Sequence, residues 1–391
     1  AYSYVTLPSG VITNMAGESY VGTAYSFKVP YKDYELWMWG NNQYGNLGQN
    51  NKIEYSSPVQ VPGNWTKNIS IKMQSAALAS KSDGTLWAWG MNEHGMLGDN
   101  STVLKSSPVQ IPGTTWDRAT LGRGFALATR TDGTLWAWGN NTYGPLGQNT
   151  SHDGGQNYYS SPTQIPGTNW SGIFGTAYTS YVVKTNGELW ASGYGGDGGL
   201  AQNSQVSYSS PIQIPGTTWS TDLHKWGGEW YSVATVKTDG TLWTWGRNAY
   251  GVLGLNEASV RYSSPAQIPG TTWKYTSVAA EGYSSAATKT DGTLWTWGRN
   301  QFGALGQNNL TSYSSPIQVP GTTWNVVVGG AYNIFATKTD GTLWAVGGAN
   351  GYGQFAQNNT TNYSSPVQIP GTWGYPIACN YTYFAGGLRE I

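Results

Sequence analysis

Charge is scarce in this chain. Only 10% of its 391 residues are Asp, Glu, Lys or Arg, against about a quarter in ordinary domains, and the 20 basic residues cancel the 20 acidic ones. No net field steers a polyanion and no basic run stands out, which argues against nucleic acid and acidic membrane surfaces as partners. Cysteine is almost missing: a single Cys379 excludes an intramolecular disulfide framework and any multi-thiolate zinc site. The three histidines, His94, His152 and His224, are scattered, and none has a second ligand at metal-binding spacing. No apolar run reaches eighteen residues and no charged-then-apolar leader opens the chain, so neither a membrane span nor a signal peptide is expected. A nucleophile elbow or a Cys–His pair cannot be assembled. The chain is therefore expected to use no cofactor and to be no enzyme.

What the chain has instead is repetition. The stretch TDGTLWTWGRN occurs twice without a change, at residues 238–248 and 290–300, and looser copies bring the number of Leu-Trp anchors to seven: Trp37, Trp87, Trp136, Trp190, Trp243, Trp295 and Trp344. A period of about fifty residues belongs to solenoids, propellers and arrays. A repeat architecture also lets one domain exceed the roughly 250–300 residues at which a single core splits.

Each copy divides into four strand-length pieces. In the sixth these are the residues around Val278, then 284–290, 293–298 and 316–319, all β-branched, aromatic or alternating and separated by glycine and asparagine clusters. Asp291-Gly292 stands between two of them, where a two-residue hairpin turn with positive φ is expected. The equivalent Asp83, Asp132, Asp239 and Asp340 then also read as turn residues, not a carboxylate site. Lys81, Arg130, Lys184, Lys237, Lys289 and Lys338 each precede the anchor leucine by five residues and read as solvated strand positions.

Both faces of the LWxWG strand are heavily apolar, so each sheet must be packed between two others, as a propeller blade is. A further tryptophan follows each proline turn, and nineteen of the 21 tryptophans belong to the repeat. They read as mortar between blades, and truncating Trp295 to alanine is expected to cost roughly 3–5 kcal/mol, as large core truncations do. The fold class is all-β, a seven-bladed β-propeller of four-stranded blades. Residues 1–14 read as an N-terminal arm and 15–391 as one propeller closed by segment 373–391. There, residues near Ile377 are expected beside 36–39, although 16–29 compete for the same strands.

The motif DGxLWxWGxNxxGxLGxN with SSPxQIPG, repeated seven times from about Met15 onward, resembles the repeats of the regulator of chromosome condensation family. The resemblance implies a seven-bladed propeller, and its near-identical copies and SSPVQIPGTTW linkers are similar to bacterial and bacteriophage members found as surface or virion proteins. Fold does not carry function. A family exchange factor works through a protruding wedge and charged surfaces, and a family photoreceptor through tryptophans beside arginines. Neither feature is visible in these uniform, sparsely charged copies.

If repeated positions are scaffold, function lies where the copies differ. The third copy inserts a loop at 149–158 with His152 and Asp153. The fourth replaces its second tryptophan by Ser192 and carries the glycine-rich run 193–199. The fifth contains His224, Trp226 and Trp230, the last two being the only tryptophans outside the pattern. Trp230 occupies the place held by Gln74, Arg123, Ala177, Gly282 and Ala331 in other copies, with Tyr231, Tyr283 and Tyr332 in the next row. These rings are expected to form a stacking platform near the central axis for a protein or glycan. The candidate binding residues are thus Trp226, Trp230, Tyr231, His224, Arg123, His152 and Asp153. The function expected is a non-enzymatic structural or binding propeller on a virion or extracellular surface, possible contacts with neighbouring copies included. The alternative is an exchange-factor-like regulator of a small GTPase.

Overall fold

This computed structural model describes residues 2–7, 25–30, 33–72, 76–150, 157–278, 283–329, 332–348, 350–378 and 384–390. Seven four-stranded antiparallel sheets form a ring of blades. Six run in simple chain order, from Ile69 to Ile111 (blade 2), Trp116 to Ile165 (blade 3), Trp170 to Ile214 (blade 4), Trp226 to Ile268 (blade 5), Trp273 to Val319 (blade 6) and Trp324 to Ile369 (blade 7). Blade 1 joins the two parts of the chain: Tyr375–Ala378 and Phe384–Glu390 are its inner strands, Tyr34–Gly40 and Tyr55–Trp65 its outer ones. Phe384–Glu390 lies directly against Tyr34–Gly40, so Ile377 sits one strand further in than the sequence suggested. Tyr25–Pro30 pairs with Tyr2–Leu7 in a two-stranded sheet of its own.

The core is divided into seven clusters, each shared by adjacent blades. Period-two alternation places the two tryptophans of LWxWG on one face and the leucine on the other. In blade 6, Trp295 and Trp297 join the cluster toward blade 5, while Leu294 joins the one toward blade 7. The second tryptophan is the buried one: Trp297 is 0% exposed, and its indole N–H reaches back 45 residues to the Val252 carbonyl at 2.7 Å. Trp89, Trp138 and Trp245 make the same bond to the preceding blade. Trp39 closes the circle by donating to the Gln354 carbonyl at 2.7 Å.

The first tryptophan is only half-buried, and here the row of cations finds its purpose. Lys289 Nζ lies 4.6 Å from the Trp273 ring and 4.4 Å from Trp295. Lys81, Arg130, Lys184, Lys237 and Lys338 are held between equivalent indole pairs, and Arg389 completes the set against Trp37 and Trp373. These are not spare solvated charges: each cation–π contact contributes about 0.5–2 kcal/mol depending on desolvation. Tryptophan–arginine contacts thus exist at Arg130 and Arg389, formed by indoles about twenty residues or more apart in the chain.

The Asp-Gly connection also differs from the sequence expectation. Lys289 and Thr293 are bonded across it, with Gly292 N donating to Lys289 O, and only Gly292 has positive φ, +80°. It is a three-residue loop whose last position needs glycine. Asp291 accepts from the Thr293 amide and hydroxyl at 2.9 and 2.7 Å, and that hydroxyl accepts the Trp295 N–H. The Thr293 hydroxyl holds the Asp291 carboxyl below its ordinary pKa, helped by the backbone bond. The turn aspartate therefore orients the cation-holding indole.

Candidate functional site

Trp226–Glu229, the first strand of blade 5, links the two ends of the ring. Its two unusual tryptophans separate at once. Trp226 is 6% exposed, donates to the Ser220 carbonyl at 2.8 Å and stacks on Phe174 and Tyr181; it fills space between blades 4 and 5. Trp230 lies in the two-residue turn to Ser232–Val236, on the side of the ring that carries the turns between first and second and between third and fourth strands. Its φ is +41°, a conformation that costs a bulky residue about 1–3 kcal/mol and persists only where its surroundings enforce it.

Those surroundings are aromatic. The Arg123 guanidinium lies 4.7 Å from the Trp230 ring and 5.5 Å from Tyr178, and donates to the Tyr178 hydroxyl at 2.5 Å. Tyr178 stacks on Tyr231 at 6.2 Å, and Tyr231 meets Tyr194 at 5.4 Å. Tyr143, 43% exposed, closes on Tyr194 and Tyr178 at 4.9 and 5.3 Å. Burial, reinforced by neighbouring tyrosines and Asp197, pushes the Tyr231 hydroxyl above its ordinary pKa, so this phenol stays a neutral donor. The glycine-rich run of blade 4 has a local reason: a Cβ on Gly196 would strike the Tyr194 ring, and Asp197 is tied to Arg261 at 2.6 Å. Arg299 repeats the motif over Tyr250 and Tyr283, at 4.4 and 4.9 Å. Tyr283 stacks on Tyr332 at 5.7 Å and 18°, and Phe302 meets Tyr332 edge-on.

The structure thus brings together Arg123, Trp230 and Tyr231 from the candidate set, and adds Tyr143, Tyr178, Tyr194, Tyr250, Arg299 and Phe302. A signal for three of the additions was present, since Tyr143, Tyr250 and Phe302 share one place before Gly-x-Leu in their copies. His152 and Asp153 lie outside the described residues, as do Cys379, Gln74, Gly282 and Ala331.

His224 lies at the other end of the ring. The short turn Leu223–Lys225 caps an axial cavity of about 120 Å³ lined by Ile71, Phe174, Trp226, Val278 and Val328. His224 packs 5.0 Å from Tyr375 of blade 1 and 6.2 Å from Tyr275 of blade 6, and Arg118 of blade 3 donates to the Thr221 carbonyl. Asp222 Oδ1 accepts from the His224 amide at 3.0 Å and lies 3.0 Å from its Nδ1. Burial alone would raise the Asp222 pKa, but the bonds and charge of His224, with Lys67, bring it down to about 2. A lowered carboxyl pKa stabilises the fold above the unfolded value and loses that contribution as pH falls through the folded one. Replacing Asp222 by Asn is therefore expected to lower stability at pH 6 by on the order of 1 kcal/mol, discounted for partial exposure. Thermal melts should show that difference shrinking as pH approaches 2; a constant offset would contradict the assignment.

Among the described residues no three His, Cys, Asp or Glu are placed to hold a metal, and no helix is long and apolar enough to cross a membrane. The family model of the RCC1-like domain matches residues 19–328. The chain belongs to the RCC1-like domain family. Among curated relatives of this propeller, the Protein RCC2 homolog of Danio rerio is 39% identical over 77 residues, 19% of this chain and 15% of that protein. The regulator of chromosome condensation of Xenopus laevis is 27% identical over 150 residues, 38% of this chain and 35% of that protein. The matched stretches thus span well under half of either relative. Saccharomyces cerevisiae Prp20p, whose structure was described with its binding to Gsp1p and histones, superposes with a TM-score of 0.78 at 17% identity, covering 92% of this chain and 93% of that one. That likeness is one of fold.

Proposed function

We propose that this RCC1-like propeller is a non-enzymatic binding protein that presents the Arg123–Trp230–Tyr231 face to a partner protein or glycan on a virion or cell surface. The supporting observation is the concentration of tyrosine, tryptophan and arginine on one end of the ring, the residue types that dominate binding hot spots. It is sharpened by Trp230, held at positive φ where glycine or asparagine would be less strained. The sparse, balanced charge and the surface rich in Tyr, Asn and Ser suit work outside a cytoplasm; finding the chain in purified particles or culture medium checks the compartment.

The site test compares wild type with an Arg123→Ala/Trp230→Gly double variant on glycan arrays and peptide-display libraries. Stability is expected to stay within about 1 kcal/mol, because lost cation–π contact and relieved strain are of similar size, while binding falls at least tenfold. Ligands retained at full strength by the double variant contradict the assignment. Accelerated nucleotide release from a small GTPase by the purified protein would replace this reading with the exchange-factor alternative.

A further inference from the structure

The outer rim carries a second kind of surface. Where blades 5 and 6 meet, a cleft of about 450 Å³ is lined by Asn256, Gln267, Lys289, Trp295, Ser315 and Pro316 among others. Between blades 1 and 2, a cleft of about 290 Å³ has the corresponding Asn50, Lys81, Trp87, Ser107 and Pro108. No acidic side chain lines either one, and among the described ion pairs neither lysine takes part.

We propose that these clefts are quasi-equivalent sites for an acidic saccharide, each taking one sugar carboxylate on its sandwiched lysine. Two indoles shield half-buried Lys289, and its nearby carboxylate, Asp291, does not line the cleft, so an incoming carboxylate meets a cation partly removed from water. The indole edge of Trp295 and the ring of Pro316 offer apolar surface to the C–H face of a pyranose. The Ser315 hydroxyl, bonded to Asn256 Oδ1 at 3.1 Å, and the Gln267 amide offer neutral partners to sugar hydroxyls. A polymer of identical acidic units matches clefts that recur with the same lining on different blades.

Blade 4 supplies a built-in contrast. There Glu188 stands where most blades have threonine, and Lys184 is paired with it at 3.4 Å. Lys184 already has its carboxylate, so this position is expected to take no ligand.

The test is calorimetric titration with trigalacturonic acid as the probe, with its methyl ester as the neutral control. Wild type is expected to bind the acid at more than one site per chain, with affinity falling as salt rises, and not to bind the ester. Thr293→Glu, which copies the blade 4 arrangement, is expected to remove one site, and Glu188→Thr to add one. Folding of both is checked by near-UV circular dichroism; should Thr293→Glu fail to fold, Lys289→Gln serves in its place. Failure of wild type to bind at millimolar probe, equal binding of the ester, unchanged stoichiometry in both variants, or equal binding of triglutamate would each overturn the proposal. None of these outcomes touches Trp230, whose face lies elsewhere on the ring.

Discussion

Truncation after Ile369 is expected to cost more than about 5 kcal/mol, a large part of the whole stability of a domain, so that the shortened chain no longer melts as a native ring. The cut removes both inner strands of blade 1, and with them all seven pairings from Tyr34–Glu390 to Gly40–Phe384. It also removes Trp373 and Arg389, leaving Trp37 without its cation, and takes Leu388 and Ala385 from two different clusters. An open solenoid would lose only one terminal unit. A closed ring loses a seam, and both neighbours of blade 1 are exposed together. Urea unfolding followed by tryptophan fluorescence checks this: a cooperative transition with a midpoint within about 0.5 M of the full chain would contradict the closure described here.

Replacing Trp297 by alanine is the second large effect, expected at roughly 3–5 kcal/mol. The side chain is fully buried, packs against Trp273 and carries the inter-blade bond to Val252. Its loss leaves a cavity and takes one of two donors from the Val252 carbonyl, which keeps the Ser285 hydroxyl at 2.8 Å. Trp295→Ala, which the sequence alone marks as equally severe, is expected to cost less, about 1–3 kcal/mol, because Trp295 is half-buried and its main partners are Lys289 and the Thr293 hydroxyl. Blade 4 shows how the ring tolerates the missing second tryptophan: Ser192 takes its place, bonded to Ser180 at 2.8 Å.

The comparison of Trp295 with Trp297 shows which parts of the molecule the amino-acid order reveals. Anchor spacing, four strands per copy and turn aspartates are local features, and local patterns were enough to establish the propeller. The prolines of SSP also fit, because Pro316 lies in the outermost strand Tyr313–Val319, where a missing N–H is tolerated. The purpose of Lys289 was hidden, because the indoles on either side of it stand sixteen residues before and six after. The aromatic face was half legible. The row of Tyr231, Tyr283 and Tyr332 could be read from the copies, but Arg123 meets Trp230 only across two blades, through contacts that no spacing rule states. Trp226 and Trp230 are four residues apart and looked like one site; the strand between them carries one into the core and the other to the end of the ring.

The central claim is that the second tryptophan of the repeat holds the ring, while Trp230, where the copies depart, belongs to a surface for binding. The difference in unfolding free energy between Trp297→Ala and Trp230→Gly, measured by urea denaturation under one set of conditions, tests it most directly. A loss of about 3 kcal/mol or more for Trp297→Ala beside a change within about 1 kcal/mol for Trp230→Gly is the predicted result. Equal losses would make Trp230 one more structural tryptophan and contradict the account.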